Sequence, residues 1–163
     1  MKIMRAVRIY PGINLNANSD YHFELTTNTN MNRVDFAYTN ALSQPECYTR
    51  LNSNDWELTA NQINYKVIFS DGLGPNYIGG SGYLNFGINL GTGNKHEWSQ
   101  TFHTTLDGRM IRLDLEVTWL INGGLHNEVS LKIATGKIPG QGDILYDKSG
   151  LSITQIGWIG LSI

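Results

Sequence analysis

The chain has 163 residues, a formal net charge of −2 at pH 7 and a pI near 6.0. That length suits one domain with a sizeable core, expected over residues 1–163, and the absence of a basic stripe excludes nucleic acid as a natural partner. Only 16% of the residues are charged, but no apolar run reaches the roughly 18 residues of a spanning helix and no polybasic amphipathic stretch suits a membrane surface, so membrane insertion is not expected.

Taken in chain order, Lys2 to Tyr10 is a weak strand candidate, and Met1-Lys2-Ile3-Met4-Arg5 lacks an apolar stretch long enough for a signal peptide. Phe23 and Leu25 alternate with His22 and Glu24. Val34, Phe36 and Tyr38 alternate with Arg33 and Asp35. Such period-two patterns are those of half-buried strands. Ser43-Gln44-Pro45-Glu46 has the form of a capping box, which predicts at most one short helix, near 44–51. Trp56 to Thr59 is another weak strand. Ile63, Tyr65, Val67 and Phe69 alternate with polar residues, and Asp71-Gly72 then turns the chain. Leu84, Phe86, Ile88 and Leu90 alternate next.

The clearest signal is Arg109 to Ile121. Its odd positions are Ile111, Leu113, Leu115, Val117, Trp119 and Ile121, opposed by Arg112, Asp114, Glu116 and Thr118. The pairs Asp107-Gly108 before it and Asn122-Gly123-Gly124 after it predict hairpins to Trp98–Thr105 and Glu128–Ile133, hence a three-stranded meander over 96–135. About nine or ten strands in all, with frequent turn signals, predict an all-β fold: an antiparallel β-sandwich or jelly roll.

The segment Leu151 to Ile163 reads as one strand with a β-bulge at Gln155 and Ile156, because its apolar phase slips there. Ile156 and Trp158 then face one way, and Ile159, Leu161 and Ile163 the other. Apolar residues on both faces suit either a strand buried between two layers or a homo-oligomer contact, such as a trimer formed through residues 151–163.

Catalytic signatures are missing: there is no nucleophile elbow, no His-Glu-x-x-His, no phosphate loop and no dinucleotide motif. No cofactor and no metal site is expected. His22, His96, His103 and His126 are scattered, Cys47 is the single cysteine and reads as an inert buried thiol, and Asp143 and Asp147 lack the dense oxygen ligands of a calcium loop. Asp114 and Glu116 are expected in cross-strand ion pairs. As acids or bases only Asp71, Glu97, Asp107 and the histidines come into question.

Three loops carry aromatic and amide side chains: Asp71 to Gly82 with Asn76 and Tyr77, Gly91 to Trp98 with Asn94 and His96, and Asn52 to Trp56 with Asn54. A sugar needs an apolar platform for its C–H face and planar amides or carboxylates for its hydroxyls. Asp71, Asn76, Tyr77, Asn94, His96, Trp98, Asn54 and Trp56 are therefore the candidate ligand-binding residues. They predict a non-enzymatic, lectin-like head that binds a glycan or cell-surface receptor, displayed outside a cell, on its surface or on a virion. A structural or assembly subunit (capsid, tail or fimbrial) and a glycan-active hydrolase on a jelly roll are the alternatives.

Overall fold

The structure, a computed structural model, describes residues 12–27, 33–40, 46–79, 82–89, 92–120 and 126–163, with 39 and 40 as backbone only. The expected strand Lys2–Tyr10 lies outside them. Among the described residues there are fourteen strands and no helix: β1 (Ile13–Leu15), β2 (Ser19–Thr27), β3 (Val34–Asn40), β4 (Cys47–Leu51), β5 (Glu57–Thr59), β6 (Asn61–Ile63), β7 (Tyr65–Phe69), β8 (Gly72–Tyr77), β9 (Gly82–Ile88), β10 (Lys95–Thr104), β11 (Gly108–Leu120), β12 (Val129–Thr135), β13 (Ile144–Leu151) and β14 (Gly157–Ser162). The extra strands over the nine or ten expected are short or polar. Gly72 to Tyr77 and Ile144 to Leu151 bury too little to show an apolar period, whereas the weak candidate Trp56–Thr59 is strand over Glu57–Thr59.

All pairings are antiparallel, and the hydrogen-bonded order is β13-β12-β2-β10-β9-β3-β11-β7-β8. β4 flanks β10 and carries β5, β6 extends from β3, and β1 and β14 both pair with β11. Two groups of strands meet at β9 and β10, where only Ile88↔Lys95 and Gly87↔His96 are in register. Along this order β2 and β7 are five steps apart, about 24 Å in a flat sheet. Yet the Phe23 and Tyr65 rings are 5.7 Å apart, and Phe102 and Tyr65 6.3 Å. The sheet therefore doubles back, and the inward residues of both groups form one core.

Three expectations change. Cys47–Leu51 is strand, not helix. Cys47 points into the core, and the Glu46 carboxylate accepts the Tyr48 phenol proton at 2.6 Å instead of capping a helix. The meander is absent: β10 pairs with β2, β4 and β9, β11 with β1, β3, β7 and β14, and β12 with β2 and β13. The alternation located these strands but carries no information about partners. Finally, the C-terminal segment is not one bulged strand. β13 ends at Leu151 opposite Val129, and β14 begins at Gly157 opposite Val117, so the phase slip marks a passage from one group of strands to the other. Ile159, Leu161 and Ile163 are buried in this chain's own core, while Ile156 is exposed.

Candidate functional site

The Ser70-Asp71 turn closes the β7–β8 hairpin, with Phe69 opposite Gly72. It is tied to the start of β11 by the Ser70 N–H on the Arg109 carbonyl at 2.8 Å. The corner Thr105 to Gly108, which takes the chain from β10 to β11, lies beside it. Between them opens a cleft of about 450 Å³, lined by Phe69, Asp71, Leu73, Pro75, His103, Leu106 and Asp107 among others. Leu73 and Leu106 are 60% and 73% exposed, an apolar surface left bare at the mouth of the cleft. Asp107 Oδ1 accepts the Ala17 N–H at 2.6 Å, and His103 Nδ1 meets Asp20 Oδ1 at 2.8 Å. The cleft thus offers apolar carbons beside two carboxylates and an oriented imidazole. That is the usual make-up of a small-ligand site: mostly apolar walls with a few fixed polar groups.

Of the eight predicted residues, only Asp71 lines this cleft. Asn76 and Tyr77, expected in a loop, stand on β8. Asn76 donates to the Gly74 carbonyl at 3.2 Å, and Tyr77 is half-buried opposite Tyr65. Asn54, Trp56, Asn94, His96 and Trp98 gather near the other end of β10. His96 and His103 are seven residues apart on that strand, about 23 Å. Trp98 is in the core, its indole N–H on the Asn85 carbonyl at 2.6 Å, and offers no face to a ligand.

The remaining loop residues satisfy one another. Asn52, in the left-handed region, donates its N–H to Lys95 O at 2.8 Å. It receives the Lys95 N–H on Oδ1 at 2.7 Å and donates Nδ2 to Asn94 Oδ1 at 3.0 Å. Asn54 closes the turn with its N–H on Leu51 O. The Arg50 guanidinium lies 4.5 Å above the Trp56 ring and 2.9 Å from the fully buried Glu97, which also accepts the Thr27 N–H. Glu97, a possible acid on sequence grounds, is held in this brace. Partial burial and the nearby Arg33 charge pull the His96 imidazole below its ordinary value.

Sequence reasoning missed two features. A register shift between Val117 and Trp119 sets Trp119 opposite Asp35, on the outer face and 41% exposed, where simple alternation places it inward. There the Arg33 guanidinium lies 5.1 Å from the Trp119 ring and 5.9 Å from that of Tyr83, with Asp35 holding it through two hydrogen bonds. Lys66 similarly covers Trp158 at 4.0 Å. The second feature, a cleft of about 560 Å³ beside Tyr48, lies on the outer side of the other strand group.

Asp114 pairs with Arg112 on its own strand, not across strands, and Glu116 accepts from Asn64. Burial pushes the Cys47 thiol up to about 12. Among the described residues no group of three or more His, Cys, Asp or Glu side chains is placed to hold a metal ion. No family model, no curated protein and no solved structure matches the chain.

Proposed function

We propose that this protein is a single β-sandwich of the jelly-roll kind, over residues 1–163, that recognises carbohydrate without transforming it, as a receptor-binding head outside a cell, on its surface or on a virion. The observation that carries the reading is the cleft beside Asp71. Exposed Leu73 and Leu106, with the half-buried Pro75, supply a surface for sugar C–H groups, while Asp71 and Asp107 supply acceptors for hydroxyls. The exposed Tyr83–Arg33–Trp119 stack adds a second recognition surface of the composition that dominates binding hot spots. A trimer through residues 151–163 would use Ile156 and Trp158, since the other apolar row is internal.

One observation favours a second reading, a glycan hydrolase: Asp71 and Asp107 line the same cleft. One carboxylic acid would give its proton to the leaving glycosidic oxygen, and the other carboxylate would take a proton from the attacking water. A single series tests both. The whole chain is screened on a glycan array, and each hit is measured by calorimetry and by assay of new reducing ends. The recognition reading expects binding, no new reducing ends, and about tenfold weaker binding for Asp71→Ala. New reducing ends that vanish in Asp71→Asn and Asp107→Asn, with binding retained, would replace it with the hydrolase. No binding to any glycan would remove both.

A further inference from the structure

His22 and Glu24 flank Phe23 on β2, so they face away from the aromatic core. Both are nevertheless buried, His22 completely. Their cover is the segment after β12, residues 136–143, which folds back over β2 and β10. The Gly136 N–H donates to Asp20 O at 2.8 Å, Thr101 Oγ1 donates to Lys137 O at 3.0 Å, and the Asp143 N–H donates to Thr135 Oγ1 at 2.8 Å.

The hydrogen bonds of this pair fix its proton count. His22 Nδ1 is 3.0 Å from the Gly136 carbonyl oxygen, which only accepts, so Nδ1 carries a hydrogen. Nε2 is 3.2 Å from Glu24 Oε2. If Nε2 were bare and Glu24 ionised, two lone pairs would face each other in a buried space, so one further proton belongs to this contact. Burial on its own would raise the Glu24 carboxyl. The His22 hydrogen bond and charge, the Lys132 charge and the Gly140 amide together hold it below its ordinary value. Because the Gly140 amide donates to Glu24 and Lys132 stands opposite it, the geometry assigns the shared proton to the ring. An imidazolium then grips Gly136, and its carboxylate partner grips Gly140.

We propose that this one retained proton makes His22 and Glu24 a clamp on residues 136–140, and that its loss as pH rises frees that segment. The segment is one wall of the cleft of about 560 Å³, where Lys137, Ile138 and Gln141 face Glu46 and Tyr48. Release would therefore open a binding-sized space on this side of the molecule. The surrounding charges are few. Asp20, two residues before His22 on the same face of β2, pairs with His103 of β10 at 2.8 Å. Lys132 of β12 stands opposite Glu24, and Asp147 of β13 opposite Lys132. β10 presents the uncharged Thr101 and Ser99 opposite His22 and Glu24. Lys137 is exposed on the segment itself. Across the cleft, burial and the Glu46 carboxylate push the Tyr48 phenol up to about 12, so it stays a donor throughout the transition. On the acid side the clamp weakens as pH falls through the depressed Glu24 value.

The test is nitrogen NMR of the His22 ring in the full chain, from about pH 5 to about pH 10, with hydrogen exchange of the Gly140 and Gln141 amides over the same range. The expected result is a ring with both nitrogens protonated at neutral pH, then a one-proton step on which amide protection is lost together with the ring proton. In Glu24→Gln the new amide donates to Nε2. The ring should then be neutral at pH 7, and the segment should stay protected with no step. A neutral ring in the unsubstituted chain at pH 7, protection unchanged through the ring's titration, or the same step in Glu24→Gln would each overturn the proposal. Should the variant fail to fold, the ring and exchange measurements on the unsubstituted chain decide alone.

Discussion

Asp71-Gly72 and Asp107-Gly108 are the same dipeptide, and both end at the same cleft, yet they do different work. Asp71-Gly72 ends a hairpin whose two-residue loop is Ser70-Asp71; Gly72, paired with Phe69, has φ of +149° and open space around the position a Cβ would take. Here glycine is needed for its backbone. Asp107-Gly108 closes no hairpin. It carries the chain from one strand group to the other, and a Cβ on Gly108 would sit 2.6 Å from the Phe69 ring. Here glycine is needed for its lack of a side chain, and Asp107 acts as a brace through the Ala17 N–H. Two identical sequence signals thus report two unrelated constraints, one conformational and one steric.

Substitution separates them. Gly108→Ala should cost the most, about 1–3 kcal/mol in chemical denaturation, because a methyl group is forced against a buried ring. Phe69→Leu in the same chain should recover part of that loss, and full additivity of the two changes would refute the steric account. Gly72→Ala should cost about 1 kcal/mol from backbone strain alone, with no rescue by Phe69→Leu. The aspartates differ less. Asp107→Ala should lose about 0.5–1 kcal/mol with the Ala17 hydrogen bond. Asp71→Ala should stay within about 0.5 kcal/mol in stability while weakening the carbohydrate binding proposed for the cleft. Equal stability losses for the two aspartates would break the distinction between brace and ligand group.

The same contrast explains what could be read from the chain. Val34-Asp-Phe, Tyr65-Lys-Val-Ile-Phe and Met110 to Val117 advertise strands because burial on one face imposes a period of two on composition. β5, β8 and β13 bury little and give no such period. Pairing left no trace either, since Leu25 looks the same whether it meets Trp98, Leu131 or neither. At the site, Asp71 was legible as a polar residue in a turn. Leu106 and His103 join it only because the corner after β10 packs beside the β7–β8 turn, a coincidence of space with no sequence spacing behind it. The loop amides misled for a related reason. Asn52 and Asn94 suit hydroxyl recognition in type, but the fold lets them bond to each other.

The pairing order also sets a timetable for synthesis. β2 lies between β10 and β12, so Leu25 emerges from the ribosome long before Trp98 and Leu131 exist to receive it. β11, through which β1, β3 and β7 are joined, lacks its β14 neighbour until Gly157 to Ser162 have been made. Loop closure over such separations is slow, and unpartnered strand edges are open to wrong neighbours while they wait. A nascent chain of this protein therefore stays unfinished until Gly157 to Ser162 have emerged, and its yield in a cell will depend on what shields the early strands during translation.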